Sequence, residues 1–247
     1  MFTVQRREQV RTRILDRARG DDRIAGAAVT GSAAHDAEDS WSDIDLFFGV
    51  ASDTTVEEAV SDWTAFVYDE LGAIHHFDVH ASSATYRAFL LGDLLEVDLG
   101  FTPAARFGPL GSGGFRVVFG AAAPRQTATP DTGHLIGLAW HHVLHARICV
   151  ERSAWWQAEY WISGVRDLVL ELACLRLGHP TAYAKGAHLL PSEVADPIRD
   201  ALVSSLEGTE LTRALGSVTR VLVSELHRTD AEVATTLEKP LLELASL

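Results

Sequence analysis

Hydrophobic and polar positions follow one rhythm in the first half of this chain and another in the second. The first half alternates helical with extended patterns. A charged helix is predicted from Arg6 to Arg19, and the apolar run Ile24 to Thr30 predicts a buried strand, broken by Gly31-Ser32. Asp43 to Val50 (DIDLFFGV) predicts a second strand, Thr54 to Leu71 an amphipathic helix, and Ile74 to His80 a third strand. Tyr86 to Leu91 and Leu94 to Phe101 flank Gly92-Asp93 in the arrangement of a hairpin, and Phe115 to Gly120 adds a short strand.

The second half is helix after helix. One is predicted from His134 to Arg152 and a longer one from Ala154 to Leu177, stopped by Gly178 and Pro180. In the longer helix Ala158, Trp161, Ile162, Val165, Leu168, Val169, Leu172 and Leu175 keep the three-and-four spacing of one buried face. Further helices are expected over Ser192 to Leu206, Leu211 to His227 and Ala231 to Leu244, the last interrupted at Pro240. The change of rhythm predicts an α+β chain of two domains: a mixed sheet with helices over residues 1–125 and an all-helical bundle over residues 130–247. Their join is placed in Ala121 to Gly133 (AAAPRQTATPDTG), which has two prolines, small polar residues and no apolar periodicity.

Composition narrows the classes of function. A hydrophobic fraction of 47 % over 247 residues is enough to bury a substantial core without staples. Cys149 and Cys174 lie in apolar helical stretches with no framework spacing, as small buried hydrophobes of a reducing compartment do. The amino terminus, MFTVQRREQVRTR, lacks the apolar core of a secretory signal, and the apolar stretch Leu135 to Leu144 is too short to span a bilayer and is broken by His141 and His142. A soluble, cytoplasmic protein without a membrane partner is expected. The formal net charge of −13 opposes a phosphate backbone, so long nucleic acid is not an expected partner, whereas a cationic small molecule would be attracted.

The chemistry concentrates in TGSAAHDAEDSWSDIDLFF, where Gly31-Ser32 is followed after ten residues by Asp43-Ile44-Asp45-Leu46. Gly31 lets the backbone turn tightly and approach a phosphate, and Ser32 adds a hydroxyl donor at the expected start of a helix, where free amides favour anions. Asp43 and Asp45, two residues apart on a strand, project from one face while Ile44 and Leu46 project into the core. Two hard oxygen ligands on a rigid strand suit magnesium, which takes its remaining ligands from water and substrate phosphates. LLEVDLGF offers a third carboxylate, Asp98, with Glu96 on the same face, and two metals could then clamp an in-line displacement at phosphorus.

These residues resemble the signature of the DNA polymerase beta-type nucleotidyltransferase superfamily. More narrowly, YRAFLLGDLLEVDLGFTPAARFG and WWQAEYWISGVRDLVLELACLRLG resemble small bacterial nucleotidyltransferases of the lincosamide and aminoglycoside resistance type, over about residues 20 to 190. The resemblance implies a catalytic domain binding magnesium and a nucleoside triphosphate, with ATP the expected donor, and a helical domain that binds the substrate and closes the cleft. It implies transfer of a nucleoside monophosphate to a drug hydroxyl with release of pyrophosphate. By position, Gly31 and Ser32 would bind phosphates, and Asp43, Asp45 and Asp98 would bind metal, Asp98 also being catalytic. A homodimer sharing its cleft is compatible with the same analogy.

Other candidates carry alternatives. Glu159 is the candidate general base, on a helix face with Ser163 and Arg166, where an intrahelical charge pair is the alternative. Lys185, in the loop TAYAKGAHLLP, is the candidate to reach a triphosphate as a point charge, against a solvated lysine; the resembling enzymes carry acidic residues after it, where this chain has Ala187 and His188. Trp155, Trp156 and Tyr160 are expected in the core rather than stacked on a base. His141 and His145 have the spacing of a zinc pair but no HExxH and no Cys or Asp partner, which favours a polar helix face or pocket lining. His76, Asp78 and His80 alternate onto one strand face and are expected to line the cleft or to be exposed. The rival class is an interaction protein: an antitoxin of the same fold, or a nucleotide-binding sensor, acting on a protein partner. The spacing of Arg220 and His227 is its thin support, and the complete set of carboxylates argues against a dead site.

Overall fold

The computed structural model describes residues 1–81, 84–110, 114–125 and 131–246, and the chain divides into two units, Met1–Ala128 and Thr129–Leu247. The architecture is α+β. Within the expected join, residues 126–130 lie outside the described residues.

In the first unit Thr3 caps helix α1 (Val4–Gly20) by accepting the Arg6 amide at 3.1 Å. Strand β1 (Ile24–Thr30) leads through a single 3₁₀ turn, Ser32–His35, to β2 (Ile44–Val50). A capping box of Thr55 and Glu58 starts α2 (Val56–Phe66), which ends in a π-helical turn, Val67–Leu71, closed by Gly72 at φ 81°. Then follow β3 (Ala73–Ala81), β4 (Ala84–Leu91), β5 (Glu96–Pro103) and β6 (Phe115–Phe119). The six strands lie in the order β3-β4-β5-β2-β1-β6, with β2 and β5 parallel and the other neighbours antiparallel.

Alternation gives the sheet two faces. Ile44, Leu46 and Phe48 of β2, with Val97, Leu99 and Phe101 of β5, enter one core with Val10 and Ile14 of α1 and Trp63 and Phe66 of α2. The opposite face carries a smaller cluster in which Tyr86, Phe107 and Phe115 pack on Phe47. Room for Phe107 comes from Gly26 and Gly49, where a Cβ would stand 2.7 and 2.8 Å from its side chain.

The second unit contains α3 (Thr132–Glu151), α4 (Trp155–Arg176), α5 (Ser192–Arg199), α6 (Gly208–Thr229) and α7 (Ala231–Ala245). Its core joins Val143 and Ala146 to Ile162, Val165 and Leu172 and to Leu215, Val218 and Leu222, and both cysteines are buried as free thiols. Buried Glu225 of α6 receives two hydrogen bonds from Arg176 of α4, at 2.7 and 3.0 Å. No helix of the described residues is long and apolar enough to cross a membrane.

Several elements differ from expectation. The expected helix Ser192 to Leu206 stops at Arg199, two residues past Pro197, where the following residues turn back through Leu202 N–H to Arg199 O. Helix α7 instead runs through Pro240 without interruption. The turn of the β4–β5 hairpin extends to Leu94, at φ 68°, beyond Gly92-Asp93. Replacing Phe107 with Ala empties the smaller cluster, and urea unfolding should show a loss of about 3–5 kcal/mol; a loss below about 1 kcal/mol would mean that the cluster contributes little.

Candidate functional site

The parallel pairing of β2 with β5 sets Asp45 directly beside Asp98, with Ile44 beside Val97 and Leu46 beside Leu99. Asp43 stands just before the ladder, on the same side as Asp45. One oxygen from each of Asp43, Asp45 and Asp98 lies within 4.8 Å of the others, and all three residues are half-buried. Among the described residues this is the one group of three or more ligand-bearing side chains gathered so closely. Three carboxylates at this spacing repel one another unless a cation offsets them. An all-oxygen set from β5, β2 and the residue just before β2 fits Mg²⁺ or Mn²⁺, and lacks the nitrogen and sulfur donors that favour zinc.

Gly31 adjoins this group. It takes φ 59° and ψ −148°, and a Cβ there would fall 1.9 Å from Asp45 Oδ2, so only glycine fits between the turn and the carboxylate. Half-buried Ser32 follows it. The helix expected to begin at Ser32 is a single turn, halted at Asp36 in the left-handed region, so no helix dipole serves an anion there and the local amides and the Ser32 hydroxyl are the donors on offer. Arg116 of β6 steadies this turn, donating to Ala33 O at 2.7 Å and to Asp36 Oδ1 at 3.2 Å.

Tyr86 is a further residue of this face. It stacks on Phe47 at 5.6 Å, and burial first, then the charge of Asp45, push its hydroxyl pKa up to about 12. The hairpin register pairs it with Gly100, two residues beyond Asp98, which is the signal that could have revealed it. The same face continues into an apolar strip. A row runs Asp45, Asp98, Ala88, Phe77 across four strands, and Phe77, Val79 and Leu90 are exposed at 56, 47 and 39 %. Phe77 is two strands from Asp98, or roughly 10 Å.

His76, Asp78 and His80 do not share this face. Their register partners on β4, Phe89, Arg87 and Thr85, place them on the α2 side of the sheet. There Tyr68 Oη meets His76 Nδ1 at 2.9 Å, and burial lowers the His76 pKa. Arg87 grips Asp78 with two 2.6 Å hydrogen bonds that hold its carboxyl below the usual range, and also reaches Thr64. These residues line no cleft at the carboxylates.

The remaining candidates belong to the second unit. Glu159, half-buried on α4, accepts a 2.6 Å hydrogen bond from Ser163 Oγ, which accepts in turn from Arg166 at 3.3 Å, so the polar face forms a ladder along the helix rather than a direct Glu–Arg pair. Lys185 is exposed between two 3₁₀ turns, Ala182–Ala184 and Ala187–Leu189. Trp155 packs beside Gly208, but Trp156 and Tyr160 are exposed, contrary to the expected core placement. The rings of His141 and His145 meet at 4.3 Å, tilted by 55°, with His145 5.0 Å from Trp161, an aromatic cluster on the helix face. Arg220 bonds to Ser217 and His227 to Glu238, so the two engage different partners.

No family model matches the chain, and no curated protein matches it. Among solved structures it is similar to an aminoglycoside 6-adenyltransferase from Bacillus subtilis, with 12 % identity, a TM-score of 0.41, and 98 % of this chain and 99 % of that chain covered. At that distance the likeness names no activity for this chain.

Tyr86 yields a pH test. Its folded pKa, about 12, lies above the value of about 10 expected in the unfolded chain, so its stabilising contribution is full below pH 10 and is lost as pH rises toward 12. The fall in Tm over that interval should be shallower in Tyr86→Phe than in the wild type; equal falls would show that the hydroxyl is not held in its neutral form.

Proposed function

We propose that this chain is a divalent-metal-dependent nucleotidyltransferase that moves a nucleoside monophosphate from a nucleoside triphosphate, ATP being the expected donor, to a hydroxyl of a small molecule, releasing pyrophosphate. The observation that carries this reading is the convergence of Asp43, Asp45 and Asp98 beside the Gly31 turn. Asp43, Asp45 and Asp98 would hold Mg²⁺, which supplies charge neutralisation at the triphosphate and at the attacking and leaving oxygens. Gly31 and Ser32 would bind phosphate oxygens through backbone amides and the Ser32 hydroxyl. Asp98 has Ala88, a small side chain, as its neighbour toward β4, which leaves space for an acceptor hydroxyl whose proton the carboxylate can take.

The acceptor class follows from surface chemistry. The net charge of −13 favours a cation and disfavours long nucleic acid, and the strip of Phe77, Val79 and Leu90 favours a molecule with an apolar flank. An amphipathic amine bearing hydroxyls meets both conditions, which favours a lincosamide-type antibiotic over an aminoglycoside.

The direct test is incubation with Mg²⁺, each of the four nucleoside triphosphates and a panel of lincosamides and aminoglycosides, followed by mass spectrometry. One acceptor should gain a nucleoside monophosphate as pyrophosphate appears; label on a protein partner with no small-molecule product would replace this reading with the antitoxin one. The double variant Asp43→Asn, Asp45→Asn should lose on the order of a thousandfold in turnover with no fall in Tm. Phe77→Ala should raise KM for the acceptor about tenfold with little change in kcat, and an unchanged KM would remove the strip from the acceptor site.

A further inference from the structure

Asp43 is a candidate metal ligand that no strand holds. Residues 36–43 belong to no helix or strand, and the β2 ladder begins only at Ile44. Part of the order here is local. Asp39 Oδ1 accepts from the Trp41 amide at 2.8 Å and from Ser42 Oγ at 3.2 Å, while Ser42 Oγ accepts from the Asp39 amide at 2.9 Å. These bonds close the turn on itself but do not fix where it sits.

Its anchor is Arg7 of α1. Arg7 is only 3 % exposed, and its Nη1 donates to the carbonyls of Asp39 at 2.6 Å and Ser42 at 2.9 Å, the two ends of the turn. Its Nε lies 3.4 Å from Glu38 Oε1, and Arg11 grips the same carboxylate, with Nη1 3.1 Å from Oε2. The last carbonyl held, that of Ser42, belongs to the peptide that enters Asp43. Arg7 occupies the buried stripe of α1 with Val10, Ile14 and Ala18, where an apolar side chain would satisfy packing. A guanidinium in that place carries a desolvation cost that an apolar side chain would not, so packing alone does not call for one.

We propose that Arg7 is a positioning residue of the carboxylate site: by fixing the Ser42 carbonyl from α1 it sets the direction of the Asp43 carboxylate toward Asp45 and Asp98. The inference rests on the metal reading of those three carboxylates. It separates from general stability, because Val10 shares the buried stripe and, having no side-chain donor, cannot hold a carbonyl of the turn.

Mn²⁺ serves as the probe, its free concentration read by electron paramagnetic resonance, beside hydrogen exchange of the segment 41–43 and the thermal midpoint. Arg7→Met should weaken Mn²⁺ binding about tenfold or more and speed exchange in that segment, with Arg7→Lys recovering part of both. Val10→Ala should lower Tm while leaving Mn²⁺ affinity within about twofold of the wild type. If Arg7→Met does not fold, an Arg7→Lys affinity equal to wild type overturns the proposal and a weakened one, with Val10→Ala unaffected, supports it. Unchanged Mn²⁺ affinity in Arg7→Met, or a loss in Val10→Ala in proportion to its stability, would also overturn it. A wild type that binds no Mn²⁺ at all defeats the metal reading itself and this inference with it, whereas binding that is indifferent to Arg7 defeats only the inference.

Discussion

The candidate site depends on the parallel contact of β2 with β5. Their register puts Asp45 next to Asp98, and the two-residue repeat of each strand sends those carboxylates to one face and Ile44, Leu46, Val97 and Leu99 to the other. A slip by one residue would exchange the two sets, driving charges into the core under α1 and α2 and apolar side chains out of it. The same burial that stabilises the sheet therefore holds the acidic cluster in place. Stability and site geometry are one constraint here.

The site face is not left bare. Phe107, seated where Gly26 and Gly49 offer no side chain, joins Phe47, Tyr86 and Phe115 in a cluster beside the carboxylates. This cover withdraws water from one flank of the acidic group, and it accounts for the raised Tyr86 pKa. On the other flank the strip toward β3 stays exposed, so the acidic group lies between a closed apolar wall and an open one.

Much of this was legible from residue pattern because it is local. The strands expected over Ile24 to Thr30 and Asp43 to Val50 have clean apolar runs, and Gly31 breaks the first of them. Alternation suggested the common face of Asp43 and Asp45, although Asp43 stands one residue before the strand and its place depends on the turn that precedes it. The side taken by His76, Asp78 and His80 was not legible, since it depends on pairing with β4, and both faces of an edge strand carry mixed residues. Ser32 looked like a helix start because nothing in SAAH forbids one; the left-handed Asp36 and the bonds from Arg116 end it after one turn. Arg7 looked like one charge among several on a charged helix. Only the tertiary fold, bringing residues 39 and 42 against it, sets it apart.

The one parallel contact among the described strands also orders events in time. Between the end of β2 at Val50 and the start of β5 at Glu96 the chain must form α2, β3 and β4, so this pairing closes a long loop, whereas the β3–β4 and β4–β5 hairpins close short ones. Closure entropy makes such a pairing a late event in folding. The acidic cluster is thus assembled only after most of the sheet exists, and partly folded chains carry its carboxylates apart, with little mutual repulsion and little grip on a cation. On the metal reading proposed above, a divalent ion would bind the finished domain in preference to its precursors and draw the folding equilibrium toward completion by mass action.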